Sequence, residues 1–139
     1  MPIASYPIIQ DVLHLTYVEN RGAAFGMLSN HRWVFMVLST MVMFAIIFVI
    51  IKFKKYFHPL MIVGLSFTVG GGIGNMIDRT VLGYVVDFID FTLIDFAVFN
   101  VADSFVTVGA FLLMGYMIWD TVREFRREKQ AVSDNGESK

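Results

Sequence analysis

Between Arg32 and Lys52 the chain runs for nineteen residues, Trp33 to Ile51, without a charge and with only Ser39 and Thr40 as polar side chains. At about 1.5 Å per residue, a helix of that length reaches ~28 Å, close to the ~30 Å hydrocarbon thickness of a bilayer. A helix at the surface of a soluble domain keeps a polar face, and this one has none. The segment therefore predicts a membrane span. Pro59 to Ile77 is a second uncharged run of nineteen residues; it opens on a proline suited to a first helical turn and ends on Asp78 and Arg79. A third run, about Val98 to Trp119, is apolar along most of its length but carries Asn100, Asp103, Ser104 and Thr107 in its first half. The expected architecture is a mainly α, polytopic membrane protein with three spans at about 33–51, 59–77 and 98–119.

Charge is swept to the edges of these runs. Of 23 charged side chains, ten fall in the last twenty residues. Lys52, Lys54 and Lys55 follow the first span, and Arg123, Arg126, Arg127, Lys129 and Lys139 follow the third; only Arg21, Arg32 and Arg79 lie on the other side. Cations resist translocation, so the 53–58 loop and the C-terminus are expected in the cytoplasm, with residues 1–32 and 79–97 outside. Seven acids (Asp11, Glu19, Asp78, Asp87, Asp90, Asp95, Asp103) gather on or near the outer side, which makes it the working face. A net charge of -1 with no basic stripe among aromatics gives no reason to expect nucleic acid. The absence of cysteine excludes disulfides and thiolate chemistry, and three scattered histidines (His14, His31, His58) argue against a zinc site, so no metal or cofactor is expected. Chemistry must come from carboxylates, amides and hydroxyls.

Residues 12–18 alternate, with Leu13, Leu15 and Tyr17 on one side and His14 and Thr16 on the other. Tyr84 to Phe91 alternates too: Val85, Asp87, Ile89 and Phe91 share a face, and Val86, Phe88 and Asp90 share the opposite one. Two short strands could pair into a small extracytoplasmic β platform, which satisfies backbone polar groups beside lipid. Residues 1–129 read as one integral-membrane domain and the polar stretch 130–139 as a disordered cytoplasmic tail. Three spans with a cytoplasmic C-terminus leave the first thirty residues outside with no preceding apolar segment and no signal peptide to carry them there. A missing first helix resolves this.

Asp103 is the most informative residue, since a carboxylate one turn inside an apolar helix is costly unless its surroundings offset it. Asn100, Asp103 and Thr107 share a helix face, either as hydrogen-bonding glue between helices or as part of a site. Asn75, Asp78 and Arg79 form a similar group at the outer end of the second span, where pairing or capping explains them equally. Asp87 could face Asp103 across the outer interface, with Asp90 and Asp95 as competitors. Two carboxylates in a partly desolvated site cannot comfortably both ionise, so one holds a proton while the other polarises water. Gly64, Gly70, Gly71, Gly72 and Gly74, including the GxxxG from Gly70 to Gly74, read as close helix packing. Asn20 to Gly26 reads as a turn leading into a short amphipathic stretch, with Asn20 either a turn residue or a polar contact for a substrate backbone.

Four motifs in order then resemble one family: Tyr17-Val18-Glu19-Asn20-Arg21-Gly22-Ala23-Ala24-Phe25-Gly26, Gly71-Gly72-Ile73-Gly74-Asn75-Met76-Ile77-Asp78-Arg79, Gly83-Tyr84-Val85-Val86-Asp87-Phe88-Ile89-Asp90-Phe91, and Phe99-Asn100-Val101-Ala102-Asp103-Ser104. The chain is similar to bacterial lipoprotein signal peptidase (signal peptidase II) over roughly residues 8–120. The resemblance implies an aspartyl protease of the bacterial inner membrane that cleaves prolipoproteins on the N-terminal side of a diacylglyceryl-modified cysteine. It makes Asp87 and Asp103 the catalytic dyad and Asn20, Asn75, Asp78, Arg79 and Asn100 its polar supports. It also implies an extracytoplasmic active site, membrane lipids and lipidated prolipoproteins as partners, and a monomer. The family carries four spans, and its first helix has no counterpart before Met1. Two other readings belong to different classes: a small channel or transporter subunit holding Asp103 in a bundle, and a truncated remnant that binds lipoproteins without cutting them.

Overall fold

The computed structural model describes residues 5–22 and 32–137. In chain order these form strands β1 (Ser5–Ile9) and β2 (Leu13–Asn20), helices α1 (Arg32–Phe53) and α2 (Pro59–Val81), strand β3 (Val85–Asp90) and helix α3 (Val101–Glu137). Short 3-10 turns cover Lys54–Tyr56 and Thr92–Ile94. All three helices are long and apolar enough to cross a membrane. The amphipathic stretch expected before the first span lies outside the described residues.

Helix boundaries follow local chemistry. His58 accepts a hydrogen bond on its ring Nδ1 from the backbone N–H of Leu60 and precedes Pro59, so α2 starts with a cap and a residue whose φ is already helical. At its other end α2 continues four residues past Ile77 to Val81, which places Asp78 and Arg79 inside the helix instead of beyond it. Helix α3 begins at Val101, three residues later than the apolar run, because Asn100 caps it. It then continues through the stretch expected to be disordered, as far as Glu137. Extending an existing helix costs far less than nucleating one, and no proline interrupts this segment.

The bundle is held by α2 against α3, at a separation that small residues permit. A Cβ on Gly71 would lie 2.3 Å from the carbonyl oxygen of Ala102 and 2.8 Å from Val106 Cγ2, and one on Gly109 would lie 2.6 Å from the Gly64 carbonyl oxygen. Gly70, part of the expected GxxxG pair, meets nothing within 4 Å. The working seam is thus Gly64 and Gly71 on α2 with Gly109 on α3, reinforced by the edge-to-face Phe67 and Phe105 rings at 5.0 Å. Helix α1 is largely exposed in the bundle and approaches α2 with Met43 beside Gly72.

The sheet has three antiparallel strands in the order β1-β2-β3, one more than expected. Strand β1 was hidden by Pro7, which is tolerable only because β1 is an edge. Between Leu15 and Val18 the pairing slips, so that Thr16 and Tyr17 stand opposite Phe88 alone. That bulge corrects the simple alternation. Leu15 and Val18 pair with Ile89 and Asp87 and join their face, whereas Tyr17 reaches Tyr84 and Glu19 on the other. The free edge of β3 is taken by Phe99, whose carbonyl accepts from Phe88 and Ile89 and whose N–H donates to Ile89 at 3.0 Å. This clamp delivers Asn100 beside Asp87.

Gly71→Ala is expected to lower stability by about 1–3 kcal/mol, because a backbone carbonyl must move to admit the methyl group. Gly70→Ala, with open space at its Cβ, should be neutral or stabilising through helix propensity. Thermal unfolding of both variants in detergent checks the contrast.

Candidate active site

Asn100 organises the polar cluster. As the residue before α3 it accepts the Asp103 backbone N–H on its side-chain oxygen at 3.0 Å, and its own N–H donates back to Asp103 Oδ2 at 3.3 Å. This reciprocal pair is a capping box with aspartate as its third residue. The Asn100 amide nitrogen is thereby left to point outward, where it donates to Asp87 Oδ1 at 2.7 Å and Asn75 Oδ1 at 3.0 Å. Asn75, on α2, donates to Asp103 Oδ1 at 2.7 Å. Asp87 and Asp103, sixteen residues apart in sequence, are both bonded to one asparagine. Asp103 also sits against the positive end of α3, where the first N–H groups face outward.

Asp87 is 2% exposed, on the inner face of β3. Its Oδ2 accepts from the Asn20 amide nitrogen at 2.9 Å across the β2–β3 pair. Asn20 is itself oriented, because its side-chain oxygen accepts the Gly22 N–H at 3.1 Å in an Asx turn. Gly22 is gripped from the other side by Arg79, which donates to its carbonyl at 2.7 Å and to the Asn75 carbonyl at 3.3 Å. Arg79 is 6% exposed, and its guanidinium ties the end of α2 to the strand that carries Asn20. Through these two backbone carbonyls Arg79 serves as a strap between elements. Asp78 makes no side-chain hydrogen bond to another described residue.

Burial pushes the Asp87 carboxyl above the usual carboxylate range and the nearby Asp103 charge adds to this, while the Asn20 and Asn100 hydrogen bonds and Arg79 act in the opposite sense. The competing carboxylates are separated from it by geometry. Asp90 points to the other face of the sheet, where Thr16 donates to it at 2.6 Å. Asp95 stands in a left-handed turn at φ 48° on the exposed surface. Of the residues singled out in the sequence, Asn20, Asn75, Arg79, Asp87, Asn100 and Asp103 meet in one network, with Asp78 beside it. Gly22 was not singled out as a site residue, and only its place directly after the Asn20-Arg21 turn hinted at its role. Among the described residues no group of His, Asp and Glu is arranged to hold a metal ion.

Three helices long and apolar enough to cross a membrane and a small sheet, with two carboxylates bonded to one asparagine, define a polytopic membrane protein of the kind solved as bacterial membrane enzymes. The family profile of signal peptidase (SPase) II matches residues 1–119. The lipoprotein signal peptidase of Caldanaerobacter subterraneus subsp. tengcongensis is 54% identical over 118 residues, covering 85% of this chain and 79% of that protein. That of Brevibacillus brevis is 48% identical over 110 residues, covering 79% of this chain and 73% of its own. A solved bacterial membrane enzyme superposes with a TM-score of 0.80 at 37% identity, over 87% of this chain and 75% of that one. The chain belongs to the signal peptidase II family, multi-pass membrane proteases that remove signal peptides from prolipoproteins. The channel reading and the non-catalytic remnant are not favoured.

Asn100→Ala removes the α3 cap and one hydrogen bond to Asp87 together. Stability should fall by about 1 kcal/mol, and prolipoprotein cleavage by roughly 10²-fold as the carboxylates lose their mutual placement. A gel-shift cleavage assay alongside thermal unfolding measures both.

Proposed function

We propose that Asp87 and Asp103 are the catalytic dyad and that the bond cleaved lies on the N-terminal side of a diacylglyceryl-modified cysteine. The observation that carries this is the bonding of both carboxylates to Asn100, one through its side chain and one through its backbone. Asp87, raised by burial, holds the dyad's proton, which leaves Asp103 to act as the base. Asp103 takes a proton from water as the water oxygen attacks the scissile carbonyl carbon, and Asp87 donates its proton to the carbonyl oxygen. Collapse of the tetrahedral intermediate passes the proton on Asp103 to the departing amine and returns one to Asp87. Asn20, Asn75 and Asn100 hold the carboxyl groups in place and Arg79 fixes the frame around them, with Asp78 a supporting charge beside it.

The excess of Lys and Arg beyond α1 and α3 supports a cytoplasmic C-terminus and a dyad at the outer, extracytoplasmic boundary of the inner membrane. A substrate's apolar signal segment would approach through the bilayer, its lipid anchoring the cysteine at that boundary. Residues 1–129 act as one domain, and the working unit is a monomer.

Asp87→Asn and Asp103→Asn should each abolish cleavage of a synthetic diacylglyceryl-cysteine peptide while leaving folded protein in detergent. Near-normal cleavage by either variant removes that residue from the dyad.

The pH dependence follows from the direction of the Asp87 shift. A carboxyl raised in the folded state binds its proton more tightly there than in the unfolded chain, so its contribution to stability is present at low pH. That contribution is lost as pH rises from the ordinary carboxylate range through the raised value. Over the same window cleavage loses its acid, giving an alkaline limb in the rate profile. Asp87→Asn should remove this component of the stability slope, which unfolding midpoints across pH will reveal.

A further inference from the structure

At the end of the bundle away from the dyad, the polar side chains serve no part of the reaction. Lys52, Lys54, Lys55, Arg123, Arg126, Arg127 and Lys129 stand there with Asp120, Glu124 and Glu128 among them, and Asp134 and Glu137 follow further along the same arm. Among the described residues none of these cations forms an ion pair; those with a defined neighbour lie over rings. Lys52 sits over Phe48 and Phe53, Lys55 over Tyr56, and Arg123 over Trp119 at 5.2 Å from its centroid.

Helical spacing sorts the charges. At 100° per residue, Tyr116, Trp119, Arg123, Arg126 and Arg127 fall within about 100° of arc, with Asp120, Glu124 and Glu128 on the adjoining stripe and Asp134 and Glu137 returning to the basic line only about two turns or more beyond Arg127. The direction in which the basic stripe faces is fixed by its aromatic base. Tyr116 stacks on His58 at 4.8 Å and Trp119 lies 6.1 Å from the same ring. His58 caps α2 and ends the loop that carries Lys54 and Lys55. The basic stripe therefore rises from an aromatic patch of Tyr116 and Trp119 that lies against the cap of α2, next to the loop that carries Lys54 and Lys55, where the apolar span ends. Arg123 is about 6 Å along the axis from Trp119, at the depth of lipid headgroups, and Arg126 and Arg127 are one turn further.

We propose that this basic face on its aromatic patch is a docking surface for anionic phospholipid headgroups of the leaflet it faces, with the arginines of the α3 arm holding the phosphate. Charge complementarity selects the occupant. A leaflet presents phosphates at the depth of these guanidinium groups, and arginine suits a bidentate phosphate contact while its stem lies on an aromatic ring. The long polar arm of α3 thus acts as a lipid-reading edge, independent of the dyad at the opposite interface.

Trp33 and Trp119 are the only tryptophans, so Trp33→Phe makes Trp119 a reporter beside Arg123. The full chain carrying that substitution is reconstituted into phosphatidylcholine vesicles containing phosphatidylglycerol, with bromine on the acyl chains of one lipid or the other at equal mole fraction. Brominated phosphatidylglycerol is expected to quench Trp119 with a roughly threefold preference over brominated phosphatidylcholine, reduced by added salt. The preference should vanish when Arg123, Arg126 and Arg127 are all replaced by Gln. Unchanged cleavage and melting temperature of that variant in detergent verify that the exposed arm was altered without disturbing the bundle. Equal quenching by the two lipids in the parent, or a preference that survives the triple substitution, overturns the proposal.

Discussion

Everything at the polar end of the bundle depends on how the first turn of α3 is capped. An asparagine at that position has to satisfy the exposed N–H groups of a helix starting at a membrane boundary, and Asn100 does so with its oxygen alone. Its nitrogen, spared from the helix, bonds Asp87, and its backbone N–H bonds Asp103. One residue therefore ends the clamp on β3, begins α3 and connects the two carboxylates. Placing ionisable groups at the edge of lipid is tolerable because every acceptor oxygen of the pair has a donor close by.

The sheet and the helices reach this arrangement by different physics. Between α2 and α3 the hydrophobic effect offers little, since lipid is as apolar as the side chains, and close backbone approach at Gly71 and Gly109 takes its place. That approach brings Asn75 within hydrogen-bonding distance of Asp103. In the sheet, backbone pairing on both edges of β3 positions Asp87 between Asn20 and Asn100. Arg79 links the two systems by fastening Gly22 to α2. The family relation, at 54% identity to one lipoprotein signal peptidase, extends over the elements that make this network.

The spans were legible because length, apolarity and flanking charge are local properties of a segment. The existence of β2 and β3 was legible from alternation, but β1 was not, since a proline in a five-residue strand erases the usual signal. The bulge at Thr16 and Tyr17 was equally hidden, because alternation says nothing about where the pairing partner slips. The carboxylates could be singled out by their cost in an apolar setting, yet spacing alone left Asp87, Asp90 and Asp95 as equal partners for Asp103. Only the resemblance to a family distinguished them before the fold was known.

What the chain alone determined was a set of apolar segments long enough to cross a bilayer, a charge asymmetry between their two ends, and a few polar residues too expensive to be there by accident. Tertiary structure decided which carboxylates meet. Facing is set by strand register and helix separation, and both depend on partners far away in sequence: pairing with β2 and with Phe99 sets Asp87 between Asn20 and Asn100, and the glycine seam determines how near Asn75 comes to Asp103. Periodicity along one segment carries no information about that distance.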